Sequence, residues 1–324
     1  MNTLKQLNSS PQSRRHFSKI LGTALGGAMI PYTPGFSQTK KADGAGVFDQ
    51  QFAICNETFK DWPFDKAFAF AAECGYKALE VAPFTVSNDV RDVTAAQRKK
   101  VRSQAEAAGL KILGLHWLLS RTKGFHLTSA DRDERKRTAA YLGDLARFCA
   151  DLGGDKPIFG SPQQRNLREG ITKEKGLEYA AEVVEEALPA LEKANVVLAF
   201  EPLSPRITNF MDTAAGAVEL IEKVDDPRCR LILDCLAMST EGTPIPEILR
   251  KYKDLTVHVQ VNDPNAQGPG FGDLDFVPIL QELRDLKYKG YISVEVFNYK
   301  PGPERLARES IDYLKKCQAK TVGR

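Results

Sequence analysis

Four oxygen-bearing side chains close four apolar runs in the second half of this 324-residue chain. Glu201 ends VVLAFE (196–201), Asp234 ends CRLILD (229–234), Gln260 lies in LTVHVQVND (255–263), and Glu295 lies in YISVEVF (291–297). Ionised carboxylates are rarely buried unless paired or bound to metal. Three carboxylates and a carboxamide drawn together form an oxygen-only ligand set, which suits a hard or borderline divalent ion such as Mg²⁺, Mn²⁺ or Co²⁺. Without a cation, facing carboxylates repel one another and partly protonate. The same carboxylates can serve as base and acid at a carbon next to a polarised carbonyl. Returning the proton to the opposite face epimerises, returning it to the neighbouring carbon isomerises, and losing a β leaving group makes the enzyme a lyase.

These residues need strands to carry them. Short apolar runs bounded by breakers read as strands buried on both faces, which is the habit of parallel sheets covered by helices. Such runs lie at 51–56, 78–82, 111–116, 156–161, 196–201, 229–234, 255–262 and 291–297. Between them, helical patterns run over 64–74, 94–108, 129–151, 172–195, 213–224, from 245, over 276–286 and over 303–316. Gly75 is a helix stop and Thr213 a cap. Strict alternation of eight strands and eight helices predicts an α/β fold, a single (β/α)8 TIM barrel. An open doubly wound sheet would need a Gly-rich turn after the first strand, and Cys55-Asn56-Glu57-Thr58 is not one. Strand alternation turns His258 and Gln260 inward together, and Glu295 inward with Ser293. The four oxygen ligands then converge on the C-terminal mouth, where barrel active sites lie.

Further residues near that mouth are candidates for substrate contact. His116 ends the third strand beside Trp117, offering a polar hydrogen-bonder and an aromatic platform; a satisfied core histidine is the alternative. Arg165, in a Ser-Pro-Gln-Gln-Arg loop, either holds an anionic or hydroxyl-rich ligand or caps the loop. Glu80 faces inward if Ala78 and Ala82 do, and then needs a partner, a Lys or Arg across the barrel being one answer. Asp263 is placed to orient Gln260 or a water. The loop GPGFG (268–272) can close over the mouth and lacks the Lys of a phosphate loop.

The N-terminus carries a different message. Residues 13–19, SRRHFSK, form a twin-arginine pattern followed by a weakly apolar run at 20–30 and small residues before Gln38. We read 1–37 as a twin-arginine signal peptide, 38–49 as a linker and 50–324 as the barrel. The expected location is periplasmic, reached by export of the folded protein, with no stable membrane span after processing. The net charge of +3 belongs to that leader: without 1–37, 41 basic residues face 42 acidic ones. A near-neutral body gives no footprint for nucleic acid. The six cysteines, at 55, 74, 149, 229, 235 and 317, show no CxxC and read as buried thiols, with Cys235, next to Asp234, the one nearest the chemistry.

Glu201-Pro202-Leu203 with Thr208-Asn209-Phe210, then Leu233-Asp234, HVQVND and SVEVF, resembles the sugar phosphate isomerase/epimerase family. These are xylose isomerase-like TIM barrels that include ketose 3-epimerases. The resemblance spans 50–317. It implies one divalent metal, Mn²⁺ first and Co²⁺ or Mg²⁺ next, on Glu201, Asp234, Gln260 and Glu295. It also implies that Glu201 and Glu295 are the acid/base pair, that the substrate is a small sugar or glycoside, and that the chain forms a homodimer. GLHWLL (114–119) and FGSPQQRN (159–166) resemble a secreted or lipid-linked branch. Two positions depart from the family. Gln260 stands where most members have His, with His258 as the fallback ligand. Ala237 stands where the epimerases have a His three residues after the metal Asp, which leaves room for a bulkier substrate. The isomerase/epimerase reading therefore keeps two competitors: a lyase eliminating the aglycone from 3-keto-glycosides, and a non-catalytic periplasmic sugar-binding barrel. Endonuclease IV-type chemistry on this fold needs a histidine-rich trinuclear zinc site, and the chain has four His in all.

Overall fold

A computed structural model describes residues 49–323; the stretch 1–37, read above as a signal peptide, and all but the last residue of 38–49, read as a linker, lie outside the described residues. Eight parallel strands close a barrel in sequential order: β1 (Phe52–Cys55), β2 (Ala78–Val81), β3 (Lys111–Leu115), β4 (Lys156–Phe159), β5 (Leu198–Phe200), β6 (Cys229–Asp234), β7 (Thr256–Val261) and β8 (Ile292–Val294). The helices are α1 (Phe64–Cys74), α2 (Ala95–Ala107), α3 (Arg132–Leu152), α4 (Lys173–Ala194), α5 (Ala214–Val224), α6 (Cys235–Met238), α7 (Ile245–Lys251), α8 (Phe276–Asp285) and α9 (Pro303–Gln318). The (β/α)8 barrel expected from the alternation is the fold observed.

Local chemistry explains most boundaries. The hydroxyls of Thr94, Thr172 and Thr213 cap α2, α4 and α5 by accepting from backbone N–H groups three residues on. Gly75 ends α1 at φ 102°, a conformation that costs a residue with a Cβ. Most element ends shift by one to three residues from expectation, and two differences have a clear local cause. α3 begins at Arg132, because Asp131 is the cap and accepts from the N–H of Asp133. An additional single-turn helix, α6, follows β6 directly, because Asp234 caps it through the N–H of Ala237.

Most buried apolar side chains form one continuous core between strands and helices, while Ile158, Ala199 and Ile232 form a separate small cluster. Two residues further along their strands come the positions of Gly160, Glu201 and Asp234. Asp234 pairs in register with Gln260, and Gln260 with Ser293. The oxygen-bearing residues thus sit one pleat above an apolar plug, toward the C-terminal mouth. Among the described residues no helix is long and apolar enough to cross a membrane.

Candidate active site

Glu201, Asp234 and Glu295 each place a ligand atom within 4.8 Å of the others, and all three are buried. Asp234 is the last residue of β6. Glu201 and Glu295 lie one residue past β5 and β8. Asp234 is held on both oxygens: Oδ1 accepts from the Ala237 N–H at 2.9 Å, and Oδ2 accepts from Asn262 Nδ2 at 2.7 Å. Asn262 is itself fixed, since its Oδ1 accepts from the Leu236 N–H. Glu295 Oε1 accepts from Trp117 Nε1 at 2.8 Å, while its Oε2 is buried without a partner. The carboxylate of Glu201 lies directly over Gly160, where a Cβ would overlap Oε2. That close approach is a reason for glycine at the end of β4.

Burial drives the Glu201 carboxyl well above its usual pKa, with repulsion from Asp234 adding and Arg165 opposing. Burial and then repulsion from Glu201 do the same to Glu295. Asp234 is raised to about 6 by burial, against the hydrogen bonds it accepts. Three carboxylates in this condition are poised to receive a cation.

Gln260 pairs in register with Asp234, and its amide offers a further oxygen. Its Nε2 donates to Glu80 Oε2 at 3.0 Å, and its Oε1 is buried without a partner. Burial raises the Glu80 carboxyl, but the His258 ring lowers it further, to about 2. An ionised carboxylate can only accept, so the amide nitrogen must face Glu80 and the carbonyl oxygen is turned away from it. An orphaned buried carbonyl costs about 1–3 kcal/mol, which a bound cation relieves. The donor chemistry therefore fits a divalent ion held by oxygen.

His258, the expected fallback ligand, is committed elsewhere: its Nε2 donates to Glu80 Oε1 at 2.7 Å. Glu80, expected against substrate or paired with Lys or Arg, has both oxygens taken by His258 and Gln260 beneath the mouth. Asp263 does not orient Gln260. Its carboxylate accepts from the N–H groups of Gly270 and Leu274 and so fastens the GPGFG loop that the sequence left free to close. Asn262, the neighbouring residue, reaches into the site and holds Asp234. Cys235 is buried within α6, and the thiol at the site is Cys55, 3.6 Å from Gln260 Nε2. All six cysteines are free and buried.

Arg165 is fully buried and donates from Nη1 to the backbone carbonyl of Glu201 at 2.5 Å, leaving Nε and Nη2 unpartnered. Burial lowers it to about 10 against the pull of Glu201 and Asp212. It positions the strand end that carries Glu201. His116 is buried, and its Nε2 lies 2.5 Å from Oε2 of Glu57. Burial opposes charge on that ring, but Glu57 reverses the sign and raises its pKa. Glu57, on the turn after β1, was not singled out in the sequence; its position just past a first strand that ends in a buried thiol was the available signal. Cys55, Glu57, His116 and Glu295 form a second cluster with ligand atoms within 4.8 Å of one another.

A cleft of about 270 Å³ opens beside Glu201, lined by Trp117, Gly160, Gln163, Leu203, Ile207 and Phe297 among others. Trp117 stacks on Phe297, with ring centroids 5.8 Å apart, and adopts φ 54°, in the left-handed region. The larger cavity, about 510 Å³, opens at the opposite end, among the first residues of β3, β4 and β7. The clustered carboxylates assign the chemistry to the smaller cleft.

Residues 68–317 match the xylose isomerase-like TIM barrel family, and the chain belongs to it. A D-psicose 3-epimerase of Enterocloster bolteae is 25% identical over 246 residues, covering 74% of this chain and 79% of that one. Two solved structures share the fold. One is a D-psicose 3-epimerase in the presence of D-fructose, with TM-score 0.73 and 17% identity, covering 83% of this chain and 99% of the other. The second is a 3-keto-D-glucoside 4-epimerase from E. coli, with TM-score 0.69 and 19% identity, covering 83% and 100%.

Proposed function

We propose that this member of the xylose isomerase-like TIM barrel family is a divalent-metal-dependent sugar epimerase or isomerase that removes a proton next to a sugar carbonyl. The observation that carries the reading is the convergence of Glu201, Asp234 and Glu295, with Gln260, in register with Asp234, holding an orphaned carbonyl. Those four residues would hold the ion, Mn²⁺ first, with Co²⁺ or Mg²⁺ as alternatives. When bound, the ion supplies the positive charge against which a carbonyl oxygen is polarised. Glu201 Oε2, over Gly160, takes the proton from the adjacent carbon. Glu295, steadied on Oε1 by Trp117, delivers a proton of its own to the other face, and exchange with solvent resets the pair. Asp234, held on both oxygens, is left as a ligand. The aromatic pair Trp117 and Phe297 gives the sugar an apolar face to lie on and screens the carboxylates from water.

A second reading rests on the cleft and on Ala237. Leu203, Ile207 and Phe297 give the cleft beside Glu201 apolar lining, and Ala237 stands where the resemblance puts a His in the epimerases. A 3-keto-glycoside placed there would lose its aglycone from the same deprotonated state. The twin-arginine pattern supports delivery of the folded chain to the periplasm, where phosphorylated sugars are scarce.

One experiment separates these readings. The mature protein, loaded with Mn²⁺, is incubated in D2O with ketoses and, separately, with 3-keto-glycosides. Deuterium at the carbon next to the carbonyl, with inversion and no released aglycone, supports the epimerase. Aglycone release supports the lyase. No exchange on either class, with sugar binding intact, leaves the binding barrel. Fractionation of the native host's cells tests the location independently.

A further inference from the structure

We propose that the barrel mouth holds a second cation site, of softer donor chemistry, built from Cys55, Glu57, His116 and the shared carboxylate of Glu295. The strand order brings these residues together. Ile54 pairs in register with Val294, so Cys55 and Glu295, each the next residue along, stand side by side on adjacent strands. Glu57 follows on the turn after β1, and His116 comes from the end of β3, where its N–H donates to the Val81 carbonyl. All four are at most 1% exposed.

The cluster is more than a group of acids. It combines a thiol, an imidazole and two carboxylates, the donor set of tetrahedral Zn²⁺ or Co²⁺ sites, whereas Glu201, Asp234 and Gln260 offer oxygen alone. A tetrahedral ion needs its donors about 3.4 Å apart, and the four candidate atoms already lie within 4.8 Å of one another. Independent support comes from unsatisfied atoms. Glu57 Oε1 and Glu295 Oε2 are buried with no hydrogen-bond partner. Trp117 occupies only Oε1 of Glu295, which leaves Oε2 for a cation. Binding replaces the proton between His116 and Glu57 and the thiol proton of Cys55, and both pass to buffer. Glu295 is then shared between the two sites, and an ion here occupies the oxygen on which Glu295 would otherwise carry a proton to the sugar. The site on Glu201 takes a hard ion, and this one takes Zn²⁺ or Co²⁺.

The test is a Co²⁺ titration of the metal-free mature protein, read by near-ultraviolet absorption and by elemental analysis. Two equivalents per chain are expected, one of them accompanied by a sulfur-to-cobalt charge-transfer band. Cys55→Ser should lose the band and one equivalent. Asp234→Asn should lose the other equivalent and keep the band, which also shows the site in a chain whose Cys55 is intact. A single equivalent with no charge-transfer band in the wild type overturns the proposal, whatever the variants do. So does a band that survives Cys55→Ser and disappears in Cys235→Ser. These readouts do not depend on turnover, so the proposal can fail while the proposed reaction stands, or the reverse.

Discussion

Two buried carboxylates on neighbouring levels of the barrel behave in opposite ways. Glu80 and Glu295 are both 0% exposed. Burial raises Glu80, but the charge and hydrogen bond of His258, with His116 and Ser293 adding to them, hold it down to about 2. Glu295 is pushed well up, because burial and the neighbouring acids Glu201, Glu57 and Asp234 act on it together and a single indole N–H answers them. Depth does not distinguish the two; partners do. Both oxygens of Glu80 are satisfied, and the level of Glu295 is left in deficit of positive charge. A deficit of that kind is what a cation site requires before its cation arrives.

The largest effect that would sharpen this contrast is on the reaction. Glu201→Gln or Glu295→Gln should lower proton exchange by about 10²–10⁴-fold, while the metal-free variants unfold at the same urea concentration as wild type or higher, since a repelling charge is gone. A loss of stability in those variants would break the contrast. Next, Glu80→Ala should destabilise the metal-free protein by about 3–5 kcal/mol in urea unfolding, because it leaves His258 and Gln260 buried without their acceptor.

The pH dependence of stability follows with opposite signs on the two levels. Glu80 ionises at about 2 in the fold against 4.5 ordinarily. Its contribution is complete above pH 4.5 and disappears as the pH falls toward 2. Asp234 titrates at about 6 against 3.8. Its effect is present below pH 3.8 and is lost as the pH rises through 6, in protein kept metal-free by chelator. Urea midpoints of Glu80→Gln and Asp234→Asn should therefore flatten different limbs of the profile, and saturating Mn²⁺ should abolish the upper one. The smallest effect expected is that of Trp117→Phe. It keeps the ring against Phe297 and removes one hydrogen bond of about 0.5–1.5 kcal/mol, so exchange should fall by roughly threefold to tenfold.

The barrel was legible in the sequence because parallel strands leave continuous apolar runs and helices leave caps: Thr213 and Gly75 act as their types predict. The convergence of Glu201, Asp234, Gln260 and Glu295 was legible because each closes such a run. What the sequence hid was allegiance among buried polar groups. Nothing in the order of residues says that Glu80 belongs to His258, that Asn262 holds Asp234 while Asp263 turns to the GPGFG loop, or that Glu57 lies against His116. These pairs come from strands far apart in the chain, and two irregularities of register, at Leu79/Glu80 and at Leu231/Ile232, shift which residues meet. The short helix α6 was hidden for a related reason, since its cap is also a site carboxylate.

Glu201 and Glu295 stand just beyond β5 and β8, tied to neighbouring strands by N–H···O=C contacts of 3.2 and 3.3 Å, whereas Asp234 and Gln260 pair within the ladder. The two groups proposed to move protons therefore belong mechanically to the loops, and the two that only hold belong to the frame. A lineage built on this plan can exchange the loops, altering where a proton is taken up and put back, while the frame goes on gripping the same ion. One scaffold could in this way accumulate many sugar chemistries without having to rebuild its anchor.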